Sequence, residues 1–80
     1  MARYGVKTKM DPQGVIQRAV DFFGEGGAGL DLLERSPCCA RFEGGGGHVS
    51  VTVSEQDPTE VEVVTREFDY EVKQFVRQVG

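Results

Sequence analysis

Eighty residues can enclose one hydrophobic core, so the chain is read as a single domain over residues 1–80. An apolar fraction of 39% in periodic patterns excludes a disordered chain, and no apolar run approaches the ~20 residues of a membrane-spanning helix. A net charge of −4, with the basic residues scattered along the chain, disfavours nucleic acid as a partner.

The opening Met1-Ala2-Arg3-Tyr4-Gly5-Val6-Lys7 has no apolar stretch of the secretory kind, so cytoplasmic residence is the default expectation. Tyr4, Val6, Thr8 and Met10 alternate with Arg3, Gly5, Lys7 and Lys9, the rhythm of a half-buried strand. Asp11-Pro12 then changes the period. Asp accepts a hydrogen bond from a free first-turn N–H, and Pro at the first helical position sacrifices no bond. Val15, Ile16, Ala19, Val20, Phe22 and Phe23 follow at helical spacing, which predicts a helix over 12–23. Gly24 is the expected stop, in a left-handed conformation past the helix end.

Residues 24–29 read as a flexible connector. Leu30, Leu32 and Leu33 predict a short strand that ends at the turn signal Arg35-Ser36-Pro37. Cys38, Ala40 and Phe42 alternate with Cys39, Arg41 and Glu43 in a third strand, which assigns Cys38 to the core and Cys39 to the polar face. Four glycines, Gly44 to Gly47, form the next turn. Val49, Val51 and Val53 then alternate with His48, Ser50, Thr52 and Ser54. After Gln56-Asp57-Pro58-Thr59, Val61 and Val63 alternate with Glu60 and Glu62 in a strand running to about Glu67. Phe68, Val72, Phe75, Val76 and Val79 form one stripe of a closing helix, with Asp69 as its expected cap.

The order is β-α-β-β-β-β-α. Short turns impose antiparallel pairing, because parallel strands need long crossovers. Alternation leaves one sheet face polar, so both helices must cover the other. The fold class is therefore α+β, an antiparallel sheet with two helices packed on one face. Leu33 and Val64 break the alternation, which a bulge or a partner contact would explain.

This order resembles the TBP-like, or helix-grip, architecture of START-type and polyketide-cyclase-type domains. Those domains also end in a valine-rich strand pair followed by an amphipathic helix, here Val72 to Val79. The likeness is one of topology over nearly the whole chain. It implies a fold and carries no functional residues with it.

Among the motifs, Gly24-Glu25-Gly26-Gly27-Ala28-Gly29 satisfies G-x-G-x-x-G, but it follows a helix and enters a strand. A dinucleotide site needs the opposite order, so the reading is a connector. Gly44 to Gly47 lack the Lys-Ser or Lys-Thr of a phosphate-binding loop and read as a hairpin turn, with more glycines than such a turn needs. Cys38, Cys39 and His48 are too few and wrongly spaced for a structural zinc site, so no metal is assigned. Adjacent cysteines bridge only through an eight-membered ring, and no disulfide between them is expected. Cys39 with His48 as its base is the one catalytic candidate, if the hairpin sets the two side by side. Glu60 and Glu62 lie on the solvated face, where nothing would separate their pKa values.

The leading functional expectation is a binding or interaction domain without enzymatic activity and without a cofactor. Its ligand would be a small apolar molecule between the sheet and the last helix, against Phe22, Phe42, Phe68 and Phe75. Its other expected partner is a protein or a second copy of the chain. The alternative is a small thiol-dependent enzyme or redox domain using Cys39 and His48.

Overall fold

The computed structural model describes residues 1–80. Its elements are β1 (Ala2–Thr8), α1 (Pro12–Phe23), β2 (Asp31–Arg35), β3 (Cys39–Gly44), β4 (Gly47–Ser54), β5 (Thr59–Arg66) and α2 (Asp69–Val79). The five strands form one sheet in the order β1-β5-β4-β3-β2, with every neighbouring pair antiparallel. The first strand thus joins the edge next to the last, and α1 is the only long crossover. The α+β class and the β-α-β-β-β-β-α order are as the periodicity dictates.

Strands β3, β4 and β5 present their alternating apolar residues to the helices. Ala40, Phe42, Val49, Val51, Val53, Val61 and Val63 are buried from the sheet side. Val15, Ile16, Ala19 and Phe23 of α1 meet them, as do Val72, Phe75 and Val79 of α2. No helix is long and apolar enough to cross a membrane.

The ends of α1 show how local chemistry sets its limits. Asp11 Oδ1 accepts the Gly14 N–H at 2.7 Å, and Pro12 occupies the first turn. At the other end Gly24 does not adopt the left-handed conformation; its φ is −79°. The connector instead folds back under the helix, with the Ala28 and Leu30 N–H groups donating to the Phe22 and Phe23 carbonyls at 2.9 Å. The left-handed residue is Gly29, at φ 82°.

Two further expectations are corrected, that Asp69 caps α2 and that Leu32 lies in the core, and the irregularity expected at Leu33 is a bulge. Asp69 does not cap α2: Phe68 holds the cap position without a side-chain bond, and Asp69 already lies in the first turn. Its carboxylate instead accepts the Tyr4 hydroxyl at 2.7 Å, tying β1 to α2. Leu32 is 43% exposed, because β2 is an edge strand that the apolar faces of the helices do not cover. Leu33 is the extra residue of a bulge, since Leu32 pairs with Phe42 and Glu34 with Arg41.

Three of the four glycines in the run, Gly45, Gly46 and Gly47, have a structural reason. Gly44 faces Gly47 across the hairpin, and Gly45 and Gly46, at φ 55° and 82°, form the two-residue loop. Two consecutive positive φ values define the turn whose twist matches the flanking strands. A β-carbon on Gly44 would meet the Leu30 side chain at 2.8 Å. One on Gly47 would run into the Arg66 carbonyl and lie 2.8 Å from the Phe68 ring.

Candidate functional site

The turn between β2 and β3 holds the reactive chemistry of the molecule. Ser36 N–H donates to the Cys39 carbonyl at 2.8 Å and Cys39 N–H returns a bond to the Ser36 carbonyl at 3.4 Å. Pro37 and Cys38 are therefore the two central residues of a tight reversal. Cys38 lies before β3 begins, so the two-residue rhythm of the strand does not govern its side chain. That is why it is exposed and not in the core, against the sequence expectation. The same turn swings its sulfur toward that of its neighbour.

Cys38 and Cys39 are joined by a disulfide, the reverse of the expectation that adjacent cysteines stay unbridged. The strand-face argument failed because it assumed an extended backbone through both residues. Both cysteines are used in this bond. Cys38 is exposed and Cys39 half-buried, so the bond is open to solvent from the Cys38 side. The Ser36 hydroxyl lies 3.5 Å from Cys38 Sγ. A disulfide sulfur carries no proton, so the hydroxyl is the donor, and the Cys39 carbonyl, also at 3.5 Å, shares its single proton. The Cys38 carbonyl accepts the Val53 N–H at 2.7 Å, which anchors the turn to β4.

The surroundings come from a distant part of the chain. The start of α1 lies across from the turn. A cleft of about 370 Å³ runs between them, lined by Asp11, Pro12, Gln13, Pro37, Cys38, Val53 and Glu55. On the far side of Pro37 a second concavity is lined by Gly14, Gln17, Arg35 and Ser36 among others, and Arg35 donates to Gln17 Oε1 there at 2.8 Å.

His48 is not part of this arrangement. In the β3–β4 register Cys39 faces Thr52 and His48 faces Glu43. Four residues of strand separate them, roughly 13 Å at about 3.3 Å per residue. Both lie on the open face, but His48 cannot reach the Cys39 sulfur. No three side chains of the metal-binding kind are grouped in the fold.

The four phenylalanines expected to line a ligand cleft are packed instead. Phe42 and Phe75 are buried, and both rings contact Phe23, at centroid distances of 5.6 and 5.1 Å. Phe22 lies 5.8 Å from Phe75 at the margin of this cluster, and Phe68 is half-buried beside the Gly47 turn. Phe23, assigned by periodicity to the core, fills the space between α1, α2 and the sheet.

The open face carries mixed charge. Arg3 pairs with Glu62 at 3.5 Å and Arg41 with Glu34 at 3.3 Å, both well exposed and each contributing little to stability. Sequence reasoning placed Arg3, Arg41 and Glu62 on this face, did not assign Glu34, and missed the Cys38–Cys39 bond. The available signal was Ser36-Pro37, a turn dipeptide directly before the pair.

Comparison with protein families, with curated proteins and with solved structures gives no match for this chain.

Proposed function

We propose that the chain is a small thiol–disulfide redox domain whose working group is the Cys38–Cys39 pair, without participation of His48. The observation that carries this reading is an exposed bond between adjacent cysteines on a tight turn, opening into a cleft. The sheet and helices already enclose a continuous core without it, so its removal leaves the packing intact. In a reducing compartment, cysteine pairs of this kind cycle between oxidised and reduced forms and do not serve as permanent staples.

Alkylation of the protein after equilibration in dithiothreitol buffers tests the proposal. Two thiols are expected to label in the reduced form and none after reoxidation, with an unchanged far-ultraviolet circular dichroism spectrum and a monomeric product. Reoxidation that yields only intermolecular dimers would overturn it.

A second reading, an interaction domain for a protein partner or a second copy of the chain, draws support from Leu32 and Leu33. They are 43% and 54% exposed on an edge strand whose five residues all face solvent. The bulge at Leu33 opposes strand addition at that edge, which ranks this reading second. Light scattering of the wild type and of Leu33→Lys decides it: association lost in the variant supports the reading. A small apolar ligand against α2 has the weakest support, because Phe42 and Phe75 already contact protein on all sides.

A further inference from the structure

We infer that Cys38 Sγ is the sulfur attacked during exchange, and that the site takes neutral or cationic thiols in preference to anionic ones. The inference rests on the redox reading above and names the class of reductant.

Access decides which sulfur is attacked. Cys38 is exposed at the tip of the turn, whereas Cys39 is half-buried at the start of β3. A thiolate entering the cleft therefore meets Cys38 first. It forms a bond to Cys38 Sγ as the Cys38–Cys39 bond breaks, and the electron pair leaves on Cys39 Sγ, which takes a proton from water. A second thiolate then attacks the exogenous sulfur and releases the Cys38 thiolate, which is protonated in turn. One protein disulfide and two thiols thus give one protein dithiol and one small disulfide. The Ser36 hydroxyl, 3.5 Å from Cys38 Sγ, is placed to donate toward the departing thiolate of the second step.

Charge decides which thiols arrive. The ionisable side chains lining the cleft beside Cys38 are Asp11 and Glu55, both carboxylates. The positive end of α1 would favour an anion, but Asp11 already caps it. Arg35 and Arg41 are equally near Cys38 along the chain: Arg35 lines the adjoining concavity, which shares Asp11, Gln13 and Pro37 with the cleft, and donates to Gln17, whereas Arg41 is paired with Glu34. The net charge of −4 adds to the same sign. Two carboxylates, each taken as about 7 Å from an entering charge in water, favour a cation over a neutral molecule by about sevenfold, and disfavour an anion by the same factor.

The test compares cysteamine, 2-mercaptoethanol and mercaptoacetate as reductants of the oxidised protein. Each rate is divided by the rate of the same thiol with bis(2-hydroxyethyl) disulfide, which removes intrinsic nucleophilicity. The expected order is cysteamine, then 2-mercaptoethanol, then mercaptoacetate, with steps of about sevenfold at low salt that shrink toward unity near 1 M salt. Glu55→Gln and Asp11→Asn should each narrow the spread, and Asn retains the helix cap. Mass spectrometry of the trapped mixed disulfide should place the small thiol on Cys38. Equal normalised rates, or the adduct on Cys39, would overturn the inference and leave the redox reading standing. Failure of all three thiols to reduce the pair would overturn both.

Discussion

Gly47 illustrates how a single hydrogen atom in place of a methyl group shapes this protein. Its α-carbon lies under the backbone and side chains of Arg66, Glu67 and Phe68, all of which a β-carbon would contact too closely. Gly46 has open space around it but a φ of 82°. The two positions therefore fail for different reasons, one steric and one conformational. Gly47→Ala should cost about 2–3 kcal/mol, because backbone on both sides must shift, and Gly46→Ala about 1 kcal/mol. Urea denaturation of the pair checks the ranking. Tyr4 offers a second test at this scale. Its hydroxyl donates to Asp69, and that bond, together with loss of hydration and the carboxylate charge, raises the phenol above its ordinary pKa of 10.0. A raised folded-state value means the bond contributes fully below about pH 10 and is lost as pH climbs through the higher value. The urea midpoint of the wild type should fall more steeply above that pH than that of Tyr4→Phe.

At the scale of the element, α1 is the most completely determined piece. A stripe of apolar residues fixes which face is buried, and Asp11-Pro12 fixes where it begins. Asp11→Ala should destabilise by about 1 kcal/mol while Asp11→Asn stays near neutral, because Asn can accept the same Gly14 N–H. Thermal melts read by circular dichroism compare the two. The start of α2 was less legible. Asp69 has the right chemistry for a cap and lies one residue too late; Tyr4, far away in sequence, takes its carboxylate. A tertiary partner outcompeted a local one, and nothing in residues 66–70 announces it.

For the whole molecule, the helices and sheet meet through Phe23. It is fully buried and touches Phe22, Phe42 and Phe75, so it joins both helices to the sheet. Phe23→Ala should cost about 3–5 kcal/mol, a large part of the ~4–12 kcal/mol total for a domain of this length. Leu32→Ala, on the exposed edge strand, should change stability by no more than about 0.5 kcal/mol. The contrast, measured by denaturant unfolding of both variants, tests whether Phe22, Phe23, Phe42 and Phe75 form packed structure or border a vacant ligand cleft. A Phe23 variant that loses little stability would restore the ligand-binding reading.

Periodicity settled the number and kind of elements, the face that β3, β4 and β5 bury and the burial of the alternating valines of β4 and β5, because side-chain spacing is a local property of the backbone. It also indicated that Leu33 and Val64 were irregular, and Leu33 proved to sit at a bulge. Strand order, the contact between Tyr4 and Asp69, the packing above Gly47 and the approach of α1 to the Cys38 turn were decided only in three dimensions. Each joins residues distant in sequence, and no local spacing records which partners the closed sheet will bring together. The cysteine bond lies between these cases: its residues are adjacent, but a turn set by Pro37, with its anchor on β4, brought the two sulfurs together.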